Sequence, residues 1–151
     1  GLLAVNTPRL AGVIVKKDQS YTAGALTVQK CDVPASITIA SLDAGATLKT
    51  GKRLLLVFGT DALNNNMKFR DANREVLDNL GGKPLLLRTG KIELTLDRAQ
   101  TAPKATLYAL KLNGERADQI PVAVEDGKLK ITIDTQTLPG GPTPFFELLI
   151  E

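Results

Sequence analysis

Arg53-Leu54-Leu55-Leu56-Val57-Phe58-Gly59-Thr60 is a continuous apolar run with charge before it and a Gly-Thr-Asp break behind it. Nothing in it alternates. A strand without a polar face is as a rule covered on both sides, so the run predicts a central strand with partners at either edge. A helix is the rival reading, because periodicity alone does not separate the two in so short a segment. Gly51 and Gly59 bracket an ordinary strand length, which favours the strand.

Working outward, Ser36-Ile37-Thr38-Ile39-Ala40-Ser41-Leu42 alternates, with Ile37, Ile39 and Leu42 as its inward candidates. Upstream, Leu2 to Asn6 and Leu10 to Val15 read as strands separated by Thr7-Pro8, and Ala25 to Gln29 follows the polar turn at 16–20 and Gly24. Downstream, Asn64-Asn65-Asn66 marks a turn before a short strand at Met67-Lys68-Phe69. Val76, Leu77 and Leu80, with Gly81-Gly82 behind them, predict a short helix over 71–80. Pro84 to Arg88 reads as a second buried strand, with Thr89-Gly90 a bulge or kink before the alternating Lys91 to Leu96. Residues 98–104 read as a polar loop. Thr106 to Leu112 is a strand ended by Asn113-Gly114, a hairpin signal. Ile120 to Val124, Lys128 to Asp134 and Phe145 to Ile150 complete the set.

Ten to twelve short strands with turn signals and little helix predict an all-β fold. The expected architecture is a two-sheet antiparallel β-sandwich, jelly-roll or Ig-like, with at most one or two short helices. A sandwich is favoured over a barrel because the non-alternating runs at 53–58 and 84–87 suit the middle of wide sheets. At 151 residues the chain reads as one β-sandwich domain over 1–151. The apolar stretch directly after Gly1, without signal-peptide architecture, reads as a domain taken from a longer chain.

Composition narrows the function. The net charge is +3 and the basic residues are scattered, which argues against nucleic acid as a partner. The apolar runs are too short to cross a bilayer, so no membrane partner is expected. Cys31 is the single cysteine and there is no histidine, which removes the commonest metal ligand and the Ser-His and Cys-His dyads. The acids Asp43, Asp61, Asp71, Asp97, Glu115, Asp118 and Asp126 fall mainly in turns, where aspartate serves the backbone. Asp61 and Asp71 are the nearest to a calcium site, without acidic-loop spacing. No catalytic, cofactor-binding or metal-ligating residue and no cofactor is assigned. A sugar platform needs exposed rings, and the chain has two Tyr, four Phe and no Trp. Phe58 and Tyr108 read as core. Phe145 and Phe146 point to opposite faces, so one of them is a surface candidate.

Asn6-Thr7-Pro8-Arg9, Ser41-Leu42-Asp43, Leu54-Leu55-Leu56 with Asn64, Met67 and Phe69, and Tyr108 through Arg116 lie in order along the chain. Together they resemble the C-terminal β-sandwich accessory module that follows the (β/α)8 barrel in bacterial glycoside hydrolases of agarase-like and related types. Leu10-Ala11 stands where that family usually has Thr-Gln, and Phe145-Phe146 where it has Trp-Tyr. The resemblance implies a non-catalytic module that packs on the catalytic barrel of the same chain, in a secreted or periplasmic polysaccharide-degrading parent. A carbohydrate-binding module with polysaccharide as partner is the alternative, and a free-standing hydrolase the second. The candidate interface or sugar contacts are Thr7, Arg9, Leu10, Asn64, Asn65, Phe69, Phe145 and Phe146.

Overall fold

The computed structural model describes residues 3–99 and 104–151. Along the chain the strands are β1 (Ala4–Asn6), β2 (Leu10–Val15), β3 (Tyr21–Ala23), β4 (Leu26–Cys31), β5 (Ala35–Ser41), β6 (Arg53–Gly59), β7 (Ala62–Asn65) and β8 (Lys68–Phe69). They continue as β9 (Leu77–Asn79), β10 (Gly82–Leu87), β11 (Lys91–Asp97), β12 (Ala105–Leu110), β13 (Arg116–Pro121), β14 (Ala123–Glu125), β15 (Lys128–Asp134) and β16 (Phe145–Ile150). There is no helix among the described residues. Leu2 of the first expected strand and residues 100–103 of the expected polar loop lie outside the described residues.

The fold is an all-β, two-sheet antiparallel sandwich. A seven-stranded sheet has the order β1-β2-β5-β6-β16-β12-β13, and a five-stranded sheet the order β14-β15-β11-β4-β3. Hairpins join β1 to β2, β3 to β4, β5 to β6, β12 to β13 and β14 to β15 within a sheet, and the chain changes directly between the two large sheets after β2, β4, β11, β13 and β15. β6 is central, as its sequence predicts, with Leu56 opposite Ile39 of β5 on one side and opposite Phe146 of β16 on the other. β16 enters the middle of the sheet between β6 and β12. Inward residues from both sheets meet in one core. Ile37, Ile39, Leu54, Leu56, Leu107 and Phe146 face Leu26, Val28, Ile92, Leu94, Ile131 and Ile133, all of them buried. Burying each such side chain contributes about 2 kcal/mol.

Turn chemistry closes the hairpins as the sequence predicts. Asn113-Gly114 joins β12 to β13, with Gly114 at φ 86 and the Lys111 N–H bonded to the Glu115 carbonyl at 2.8 Å. Asp126 and Gly127 both take positive φ, which lets two residues connect β14 to β15.

Five local expectations are corrected. The segment 71–80 is not a helix: the Asp71 carboxylate accepts the Asn73 N–H at 3.0 Å, and Arg74 takes φ 60. An aspartate side chain that captures its own turn competes with the helix, and ten residues are too few to stand without a buried face. Val76, Leu77 and Leu80 are all exposed, so no such face exists. Pro84 to Leu87 is not a buried strand: β10 pairs with β7 in a two-stranded ribbon outside both sheets, and Leu85 is 63% and Leu86 49% exposed. Lack of alternation records apolar character on both faces, not what covers them. Ile120 to Val124 is not one strand but two, because the chain changes sheets between Pro121 and Ala123. Leu42 faces out, and Ser41 takes the inward place that period two assigns after Ile39. Tyr108 is half-buried on the outer face, since Leu107 and Ala109 take the inward places around it.

Candidate functional site

The sequence-derived candidates fall in three separate places. Thr7, Arg9 and Leu10 form the turn from β1 to β2 at an edge of the seven-stranded sheet. The Leu10 N–H donates to Thr7 Oγ1 at 2.9 Å, and the Arg9 Nη2 donates to the carbonyl of Asp43 at 2.9 Å. Arg9 is thus a brace between that turn and the loop after β5. Beside it lies an open hollow of about 520 Å³ bounded by Asn6, Thr7, Gly24 and Leu48, with Lys49 the one charged side chain lining it among the described residues.

Asn64, Asn65 and Phe69 lie on the excursion from β7 to β10. The Asn64 amide donates to the Leu80 carbonyl at 3.1 Å, Asn65 is opposite Gly82 in the β7–β10 pair, and Asn66 takes the left-handed turn at φ 62. These asparagines serve the backbone of the ribbon. Phe69 is half-buried beneath the Arg74 guanidinium, 5.5 Å from its centroid. The two Nη atoms of Arg74 grip both oxygens of Asp61 at 3.0 and 2.8 Å, and Arg88 stands at 3.5 Å. Hydrogen bonds from Arg74 hold the Asp61 carboxyl below the usual range despite some desolvation. Two guanidiniums around Asp61 oppose a cation there. Among the described residues no group of three or more Cys, Asp or Glu could hold a metal ion.

Phe146 is fully buried and Phe145 faces outward, half-buried. Phe145 leads to a second concavity. A groove of about 520 Å³ lies between the outer face of the seven-stranded sheet and the β7–β10 ribbon. Leu110 and Phe145 line it from the sheet, Leu85 and Leu87 from β10, Leu112 from the β12–β13 turn and Pro144 from the loop before β16. Asp118 and Lys111 are polar groups on its wall, and the Asp118 carboxylate already accepts the Gly140 N–H at 2.9 Å. Leu112 is 83% exposed. β5 and β6 lie between Leu10 and Phe145 in the sheet, so the β1–β2 turn and the groove are separate, while Asn64 is opposite the groove residue Leu85 without lining the groove itself.

The apolar character continues over the middle of this face. Leu55 and Val57 of β6, Leu149 of β16 and Tyr108 of β12 all point outward and are half-buried. In their midst is Glu147, opposite Leu55 on one side and Tyr108 on the other, with its side chain only 5% exposed. Arg53 Nε donates to its Oε1 and Arg116 Nε to its Oε2 at 2.7 Å. Arg116 also lies over the Tyr108 ring at 4.6 Å. Burial pushes the Glu147 carboxyl up, but the hydrogen bonds from Arg116 and Arg53 outweigh it and hold the acid below its ordinary range. The cluster is therefore ionised at neutral pH.

Sequence reasoning missed Glu147, Arg53 and Arg116. The available signal was that β6 and β16 are apolar on both faces, with one acid set inside Phe145-Phe146-Glu147-Leu148-Leu149. Compared with protein-family models, with curated proteins and with solved structures, the chain matches none of them.

Proposed function

We propose that the chain is a non-catalytic β-sandwich module that docks by the outer face of its seven-stranded sheet against a neighbouring domain. Following the sequence resemblance, that neighbour is the catalytic (β/α)8 barrel of a secreted or periplasmic polysaccharide-degrading glycoside hydrolase. The observation that carries the reading is the apolar surface running from Leu55, Val57 and Leu149 to the groove of Phe145, Leu110 and Leu85. A face meant only for water would place polar residues at these outward positions, and a continuous apolar surface marks an interaction site.

The acids fit a module without chemistry of its own. Asp43 accepts the N–H groups of Lys52 and Arg53, Asp61 is held by Arg74, Asp118 by the Gly140 N–H and Glu147 by two arginines. The sugar-binding alternative needs a ring platform, and Phe145 is the one aromatic side chain lining the groove among the described residues.

Hydrogen exchange of the chain alone and within its complete gene product tests the docking, alongside calorimetric titration of algal and plant oligosaccharides. Docking predicts added protection at Leu85–Leu87 and Leu110–Leu112 in the complete product and no saccharide heat. Millimolar or tighter oligosaccharide binding, abolished by Phe145→Ala and without added protection, would overturn it.

A further inference from the structure

We propose that the partner covering this face presents a carboxylate to Arg53 and Arg116, so that the Arg53–Glu147–Arg116 cluster is half of an ionic contact completed on docking. The inference rests on the docking reading. It begins with charge: Arg53, Arg116 and Lys52 set against Glu147 and Asp43 leave one positive charge over. Asp43 accepts the backbone N–H groups of Lys52 and Arg53 and makes no hydrogen bond to the Arg53 guanidinium among the described residues.

Geometry then shows where that charge is open. Each arginine binds Glu147 through Nε, and among the described residues the Nη groups of neither make a hydrogen bond. The acid is sealed at 5% exposure, while the Arg53 and Arg116 side chains are 58% and 46% exposed. The paired Nη atoms of a guanidinium form a fork that matches the two oxygens of a carboxylate. Both guanidiniums are tied through Nε to the two oxygens of one acid, which leaves the forks free, and Tyr108 stacks against that of Arg116. Leu55 and Leu149 flank the cluster on the same face. A partner lying on these leucines dries the cluster, and an unpaired guanidinium in a dry interface is costly. An acid on the partner removes that cost and fixes the register of docking.

The test uses the chain without its partner, so its failure is separable from failure of docking. Sodium acetate, sodium sulfate and sodium chloride are titrated at equal ionic strength while the Nε–Hε resonances of Arg53 and Arg116 are followed by NMR. Arg53→Lys and Arg116→Lys keep a cation for Glu147 but lose the outward fork. Saturable shifts with acetate, weakened roughly tenfold in each lysine variant, are expected. Glu147→Gln, which removes the inner anion, should tighten acetate binding and serves if the lysine variants fail to fold. Shifts that track ionic strength equally for chloride and acetate, or that persist in the lysine variants, would overturn the proposal while leaving groove protection to stand. Sulfate binding at least roughly tenfold tighter than acetate would also overturn it, in favour of a tetrahedral oxyanion as ligand.

Discussion

On the outer face of the five-stranded sheet, Lys128 pairs with Asp97 at 3.2 Å, Lys130 with Glu125, and Thr132, Thr27 and Thr22 hold other outward places. Across the molecule, the middle of the outer face of the seven-stranded sheet holds Leu55, Val57, Phe145, Leu149 and Tyr108, with Thr38, Thr106 and one sealed acid beside them. Both sheets bury the same kind of inner face, so core formation does not require the difference. A charged, threonine-rich face is finished by water. The apolar face with its sealed ion cluster is the one on which the docking proposal rests, and this contrast supports assigning that role to one side only.

The contrast breaks first at its two acids. Glu147→Ala leaves two guanidiniums against an apolar surface and should destabilise the chain by about 3 kcal/mol in urea unfolding. Glu93→Ala, whose carboxylate is 44% exposed and 3.9 Å from Lys91, should stay within about 0.5 kcal/mol. Equal effects would remove the distinction between the faces.

Acid sharpens the same contrast. The folded Glu147 carboxyl lies below its ordinary range, so the stability linked to it is present in full above the unfolded value near pH ~4. That stability is lost as pH falls through the lower, folded value. Glu147→Gln should therefore flatten the fall of the unfolding free energy on acidification, and a curve parallel to that of the unaltered chain would contradict it. The smallest effect belongs to the wet face. Lys128→Ala and Lys130→Ala should each change stability by no more than about 0.5 kcal/mol, and by less in ~1 M salt, where exposed pairs are screened.

Much of the fold was legible because local pattern and burial agree. Ile37 and Ile39, Ile92, Leu94 and Leu96, and Leu129, Ile131 and Ile133 alternate in the sequence and all face the core. Asn113-Gly114 and Asp126-Gly127 place hairpins where the backbone needs positive φ. Residues 71–88 were misread because hydrophobicity there has no core to answer to. Val76 and Leu80 have helical spacing and Leu85 to Leu87 have strand composition, yet all but Leu87 are exposed and the ribbon is held by Asp71, Asn64 and Arg74. The site was hidden for a topological reason. Glu147 meets Arg53 across 94 residues and Arg116 across 31, and only the placing of β16 between β6 and β12 makes them neighbours.

That placing also dictates an order of events during synthesis. Until residue 150 has left the ribosome, β6 and β12 have nothing to join them, and each presents an unpaired edge rich in leucine. The nascent chain must hold two half-sheets apart and then admit the strand that fastens them. A chain stopped before Phe145 therefore should not fold, and a separate peptide spanning 144–151 should restore the sheet when added to it, as a key restores a lock already cut.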